Sequence, residues 1–217
     1  MAKPRAVVSW SGGKDCCLAL LRSREEFEIV GTITTMTEDG SRSRSHGLRA
    51  DVLAKQAEAL GLPHFTEPST WDRYDEAFVR LLIRARDLHA THVICGDMYP
   101  DAHKQWVEAQ CKRQAMDAVE PLWSQSSEAA GREFLRTGAS ALIVTVLDSK
   151  LDSAFLGQRY SEAMIEQFLQ MEIDPCGERG EFHTFVTWCP AFSKEVRTVA
   201  SGIHREKGCS VLDLALA

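Results

Sequence analysis

Apolar positions change their spacing repeatedly along the chain, and the changes mark out alternating strands and helices. Residues 6–10 form a short continuous apolar run that reads as a buried strand; Ser11-Gly12-Gly13 breaks it, and 15–22 follows with Leu18, Leu20 and Leu21 at helical spacing. Residues 28–36, rich in β-branched side chains, predict a second strand, and 48–60 carries a helical stripe that stops at Gly61. A short strand is expected at 63–68, a long helix at 72–89 with Phe78, Leu81, Leu82, Ala85 and Leu88 on one face, and a buried strand at 91–95. Residues 101–116 read as helix and 119–123 as a short extended piece. Such alternation implies right-handed crossovers and a parallel sheet covered on both faces, with ligands at the carboxyl ends of the strands. The expected class is α/β, a Rossmann-like doubly wound parallel sheet over residues 1–123.

Beyond Ser124-Gln125-Ser126-Ser127 the order changes. A helix at 128–136, a strand at 139–147 and a helix at 161–171 precede a glycine-containing loop, and strands follow at 182–188, 195–199 and 210–216. Leu212, Leu214 and Leu216 alternate with Val211, Asp213 and Ala215, as in a half-exposed closing strand. Residues 124–217 are expected to form a smaller C-terminal α+β domain, with a cleft between it and the first.

Composition narrows the function classes. The 217 residues are 44% hydrophobic and 26% charged, enough to bury a core, and the net charge of −6 supplies no chain-wide positive field for nucleic acid or anionic membrane. The first apolar run is too short for a signal peptide and the stretch 141–147 too short to span a bilayer, so a cytoplasmic protein without a membrane partner is expected. Seven cysteines, odd in number and with no Cys-x-x-Cys, argue against a disulfide framework or a ribbon-type zinc site.

Ser9-Trp10-Ser11-Gly12-Gly13-Lys14-Asp15 sits where the first strand hands over to the first helix, where unpaired backbone N–H groups and the helix dipole attract an anion. The glycines let backbone approach phosphate, Ser11 can donate a hydrogen bond, Lys14 can neutralise charge, and Asp15 can orient Lys14 or help hold Mg²⁺. The spacing is not that of a Walker A loop, because Val8 stands where its first glycine belongs and Asp15 follows the lysine. Gly96 and Asp97 follow the fourth strand at the same end of the sheet, where Thr35 also lies near the end of the second.

Ser11-Gly12-Gly13-Lys14-Asp15-Cys16 resembles the SGGKDS signature of PP-loop, or N-type, ATP pyrophosphatases, with Cys16 in place of the final serine. Cys176-Gly177-Glu178-Arg179-Gly180-Glu181-Phe182-His183-Thr184 is similar to the C-terminal signature of the diphthine-ammonia ligase family, in which His183 replaces a common glutamate. Gly96-Asp97, Asp101, Val107-Glu108, Cys111-Lys112-Arg113 and Pro121-Leu122-Trp123 resemble its middle segment. Ser45-His46-Gly47-Leu48 and Asp174-Pro175-Cys176 look like its short, bacterial-type members.

The resemblance implies a HUP-type, adenine nucleotide alpha hydrolase-like fold and a ligase that uses ATP and Mg²⁺. A substrate carboxylate is adenylated with release of pyrophosphate, and ammonia then displaces AMP to leave an amide. The acceptor implied is diphthine, the modified histidine of elongation factor 2; a homodimer stays open. The nucleotide set is then Ser9, Ser11, Gly12, Gly13, Lys14, Asp15, Cys16, Thr35, Gly96 and Asp97, with Lys14 and Asp15 catalytic and Asp15 the metal ligand. The acceptor set is His46, Asp101, Gly177, Glu178, Gly180, Glu181, His183 and Thr184, with Glu178 and Glu181 catalytic. Physically, Glu178 and Glu181 bring two carboxylates together near Phe182 and Trp188, which suits a cationic group, Mg²⁺ or ammonia; the same residues also read as a solvated acidic loop. His46 with Arg42, Arg44 and Arg49 reads as a positively charged lid or as a solvated loop, Asp101 equally as a helix N-cap, and Cys95 and Cys176 as packing residues. Two other classes remain: a tRNA-thiolating PP-loop enzyme, and a nucleotide sensor without catalysis.

Overall fold

Ala6, Val7 and Val8 are completely buried, which fits a strand with neighbours on both edges and cover on both faces. The computed structural model describes residues 2–99 and 101–217 and places this strand, β1 (Arg5–Ser9), at the centre of a parallel sheet. The chain continues through α1 (Lys14–Ser23), β2 (Glu28–Met36), α2 (Ala50–Leu60), β3 (His64–Pro68), α3 (Tyr74–Asp87), β4 (His92–Ile94), α4 (Asp101–Arg113) and β5 (Asp117–Val119). The strand order is β3-β2-β1-β4-β5, every pair parallel. Winding reverses between β1 and β4, and the carboxyl ends of these two strands flank the crevice where such sheets take ligands.

The second half runs α5 (Ser127–Arg136), β6 (Ser140–Leu147), a short 3₁₀ turn at Ser153–Phe155, α6 (Glu162–Gln170), β7 (Phe182–Trp188), β8 (Thr198–Glu206) and β9 (Cys209–Leu216). Its antiparallel sheet has the order β7-β6-β9-β8. Ser126 and Ser161 cap α5 and α6 by accepting from the N–H groups of Ala129 and Met164. One continuous core joins the two halves, with Trp10 and Leu18 in the same cluster as Ile143, Phe168, Phe182 and Phe185. A second cluster, including Val7, Ile33, Phe78, Leu81 and Val93, fills the other face of the parallel sheet. Among the described residues, no helix is long and apolar enough to cross a membrane.

Three sequence expectations are corrected. The extended piece expected at 119–123 is instead β5 at Asp117–Val119, and residues 121–124 form a turn that buries Leu122. The strand expected at 195–199 is β8, nine residues long and exposed over most of its length, so no one-sided alternation marks it. It joins β9 through Lys207 and Gly208, both at positive φ, as a two-residue hairpin turn requires. β9 consequently lies between β6 and β8, and the edge it was expected to form belongs to β8.

The two sheets meet at the turn after β1. The carbonyl of Gly12 accepts from Val186 N of β7 at 2.9 Å and from Gln56 Nε2 at 3.0 Å. Gln56, wholly buried on α2, also donates to Val186 O at 2.7 Å and accepts from Trp10 Nε1 at 2.9 Å. Its amide thus ties together β1's end, the turn and β7 with no polar atom idle. Gln56→Leu strands the buried Trp10 donor and the Val186 acceptor, and stranding a buried polar group costs about 1–3 kcal/mol. Urea unfolding is expected to show a loss of at least about 2 kcal/mol.

Candidate active site

A cavity of about 490 Å³ opens at the carboxyl ends of β1 and β4, walled on its other side by the loop before β7. The turn at its floor is shaped by its glycines. Gly12 holds φ +84°, and a Cβ there would come within 2.8 Å of Leu48, Leu53 and Gln56; at Gly13 it would lie 2.4 Å from His46 Cε1. Ser11 Oγ donates to Cys16 Sγ at 3.3 Å, and the thiol donates to Gly13 O at 3.2 Å. Cys16, at the position of the usual serine, therefore spends its hydrogen bonds inside the turn, and burial pushes its thiol up to about 11.

Lys14 departs most from expectation. Its side chain is 2% exposed, and its ammonium donates to the carbonyl of Cys176 and to Asp15 Oδ2, the latter at 2.9 Å. The ring centroids of Phe182 and Tyr160 lie 5.2 and 5.7 Å away. Burial alone would lower the ammonium's affinity for its proton; Asp15 and the groups around it outweigh burial and hold Lys14 charged, well above the usual lysine range. Its backbone N–H donates to Thr184 Oγ1 at 3.0 Å, so one of α1's N-terminal donors is already committed to β7.

The loop carrying Gly177, Glu178 and Gly180 is folded around two other carboxylates. Asp174 Oδ1 accepts from Cys176 N at 2.8 Å and Glu178 N at 3.4 Å, while Oδ2 accepts from the hydroxyls of Tyr99 at 2.6 Å and Ser127 at 2.9 Å. Burial opposes its ionisation, yet these donors hold it below the usual carboxylate range. Glu181, 3% exposed, accepts from Asp174 N at 3.3 Å and Arg179 N at 3.1 Å. The expectation that Glu181 faces substrate is corrected: it staples its own loop and does not line the cavity. Gly177, at φ +73°, leaves 2.5 Å between a Cβ there and Phe182 O, room that only glycine fits. Glu178 does face the cavity. Burial, then the nearby Asp15 charge, pushes its carboxyl up to about 8.

Gly96 and Asp97 line the opposite wall. A Cβ on Gly96 would lie 2.6 Å from Cys16 N, so the glycine serves the approach of α1 to β4. Asp97 pairs with His103 at 3.5 Å and raises its pKa. His46 and His183 both line the cavity, stacked at 4.5 Å with planes 20° apart. Burial lowers both, His183 to about 4, so neither supplies the positive charge expected of a lid. Arg42 turns away to Asp213 and Arg49 to Asp51, and Arg44 lies over the Trp71 ring at 4.5 Å.

Ser9, Ser11, Lys14, Asp15 and Cys16 line the cavity with His46, Gly177, Glu178, Gly180, His183 and Thr184. Gly12 and Gly13 shape the turn beneath it. Thr35 lies on β2 beyond the lining, and exposed Asp101 begins α4 outside it. Trp188 packs against the core. The motif reading missed an aromatic wall made by Tyr74 and Phe78 of α3 with Trp106 of α4, ring centroids 5.0–5.4 Å apart. Phe78 serves both as a buried residue of the α3 core stripe and as part of this wall, since a cavity wall and a core face share one periodicity. Among the described residues, no three His, Cys, Asp or Glu side chains converge as a metal site, so Asp15 presents a single carboxylate rather than a cage. Cys95 and Cys176 also line the cavity, and burial holds both thiols well above their ordinary value.

An open parallel sheet in 3-2-1-4-5 order, with its switch-point cavity closed by a second sheet, defines a Rossmann-like α/β protein. Residues 4–118 match the family described as the diphthamide synthase N-terminal domain and residues 126–213 that of the diphthamide synthase C-terminal domain. The chain belongs to the diphthamide synthase family. It is 30% identical to the diphthine–ammonia ligase of Homo sapiens over 212 residues, 86% of this chain and 79% of that protein. The corresponding protein of Rattus norvegicus is 24% identical, with the same shares covered. That of Schizosaccharomyces pombe is 27% identical, and the chain spans about a third, 34%, of its length. A solved structure described as a predicted subunit of tRNA methyltransferase from Methanocaldococcus jannaschii aligns with 89% of this chain and all of its own, at 15% identity and a TM-score of 0.44, too loose a likeness to carry an argument.

Because the folded state keeps a proton on Glu178 up to about pH 8 and the unfolded chain releases it near 4.5, stability falls as pH rises between those values. Glu178→Gln removes that dependence. Denaturation from pH 4.5 to 8 is expected to show the variant gaining on the parent with rising pH, and parallel curves would refute the buried-carboxyl assignment.

Proposed function

We propose that this protein is an ATP-dependent, AMP-forming ligase that adenylates a substrate carboxylate and then converts it to an amide with ammonia. The observation that carries the reading is one cavity holding a helix N-terminal turn suited to phosphates and, opposite it, a carboxyl whose proton exchanges near neutral pH. The named activity of the human, rat and yeast relatives supports it. Residues 1–123 would bind nucleotide, and 124–217 would close the site and supply the acceptor side. The acceptor proposed is a diphthine-like carboxylate on a protein.

In this reading Ser11 and the N-terminal N–H groups of α1 after that of Lys14 cradle the pyrophosphate that leaves. Lys14 acts from below the turn: its buried charge offsets negative charge in the turn while its contact with Cys176 keeps the acceptor loop in register. Asp15 suits Mg²⁺ arriving on the triphosphate, since magnesium is commonly held by one or two carboxylates plus substrate phosphates. Glu178, mostly protonated at neutral pH, acts through its minor ionised fraction, accepting the proton of the attacking nitrogen as the C–N bond forms. The acyl–oxygen bond to AMP then breaks. The raised pKa of the Cys95 and Cys176 thiols works against a sulfur relay.

Product analysis with Mg-ATP, ammonium and diphthine-bearing elongation factor 2 is expected to give acceptor-dependent AMP and pyrophosphate, whereas ADP would overturn the assignment. Lys14→Met, confirmed folded by its denaturation midpoint, is expected to lose roughly 10²–10³ in rate. Near-normal turnover would remove Lys14 from the machinery.

A further inference from the structure

The segment between β2 and α2 is rich in serine and arginine, yet its own backbone holds it in a defined shape. Thr37 N donates to Arg42 O at 2.7 Å, Ser43 N to Leu48 O at 2.7 Å, Gly47 N to Ser43 O at 3.0 Å and Ala50 N to Ser41 O at 2.9 Å, closing a small hairpin. Arg42 Nη1 fixes it from two sides, donating to Gly47 O at 3.0 Å inside the hairpin and to Asp213 Oδ1 of β9 at 2.8 Å. Arg49 reaches Asp213 Oδ2 at 4.0 Å, and Ser201 Oγ donates to the same oxygen at 3.1 Å. Arg42 first, with Ser201, holds the Asp213 carboxyl below its usual range. Exposed ion pairs contribute little, but both partners here are under a third exposed, and the carboxylate has two further polar neighbours, Arg49 and Ser201.

What the anchored hairpin presents is His46. Its Nδ1 lies 3.0 Å from the Thr184 carbonyl oxygen, which can only accept. Nδ1 must therefore carry the hydrogen, and the neutral ring leaves Nε2 as a bare acceptor. The ring rests on His183 and beside Gly13, and the His46 carbonyl accepts from Thr145 Oγ1 at 3.4 Å. Asp213 itself lies outside the cavity.

We propose that Asp213 is a positioning residue: through Arg42 it clamps the 41–49 hairpin so that His46 holds its Nδ1–H on Thr184 and turns Nε2 toward the cavity. The effect on turnover rests on the ligase reading above, whereas the state of the His46 ring does not.

The test therefore reads the ring first. In the full chain, ¹⁵N spectra of the histidine side chains, with His46 assigned by His46→Asn, are expected to show a single Nδ1–H tautomer. Asp213→Ala and Arg42→Ala, each confirmed folded by its denaturation midpoint, are expected to mix the tautomers. The double variant is expected to add nothing to either single one, and Asp213→Glu to restore much of the parent signal. Unchanged His46 shifts in folded Asp213→Ala would overturn the proposal whether or not the protein turns over any substrate. Where AMP formation is measurable, kcat is expected to fall about tenfold with a smaller change in KM for ATP, as for a displaced active-site group. A loss of stability alone, with ring and kcat unmoved, would assign Asp213 a structural role only and equally overturn it.

Discussion

The structure depends on one buried lysine. Moving an ammonium out of water is unfavourable by several kcal/mol unless its surroundings replace the lost hydration, and Lys14 is accepted because elements from both halves meet around it. Asp15 comes from the same helix turn, the Cys176 carbonyl from the loop before β7, Tyr160 from the segment before α6, and Phe182 from β7. Only Asp15 is near Lys14 in sequence, so the charge is satisfied only when both sheets are in place. The neighbouring bonds from Val186 to Gly12 and from Lys14 N to Thr184 extend the same seam along the backbone. The turn at the cavity floor is thus a joint product of the two halves.

That arrangement shapes the electrostatics of the cavity. Lys14 lines the cavity from its floor with its charge already engaged by Asp15 and the Cys176 carbonyl, and it shares the lining with the acidic side chains of Asp15, Asp97 and Glu178 and with His46 and His183, which burial keeps uncharged. Burial in this partly desolvated space, reinforced by the nearby Asp15 charge, keeps the proton on Glu178 to about pH 8. Asp174 escapes that fate although it lies nearby, because four donors converge on its two oxygens. Two carboxyls four residues apart thus take opposite protonation behaviour from their hydrogen-bond partners.

Much of this was legible in the sequence where patterns are local. The run from β1 through Ser11-Gly12-Gly13 into α1 announces itself by a change of period, and β2 and β7 fall at the residues their apolar content indicates. β8 was misplaced because a strand exposed on both faces has no alternation to read. In the site, motif spacing found Lys14 and Glu178 but could not tell which way a carboxylate turns: Glu181 differs from Glu178 only by folding back onto two N–H groups of its own loop. Gln56 also carries a signal in the sequence. It is a polar residue among Val52, Leu53 and Ala57 on the buried face of α2, a placement that demands partners.

The same logic decides between the charged lid and the solvated loop for the arginines after β2. Composition puts Arg42, Arg44 and Arg49 close to a phosphate-type turn, and charge alone would send them there. Each instead has a nearer and better defined partner: Asp213 for Arg42, Asp51 for Arg49 and the Trp71 face for Arg44. Asp213 sits in β9, far along the chain, and its value as a partner follows only from the antiparallel pairing that sets β9 between β6 and β8. Pairing order across the second sheet therefore decides what the hairpin after β2 can offer the cavity. It offers a neutral imidazole rather than positive charge, leaving the backbone N–H groups at the start of α1 as the main attraction for an anion on that side.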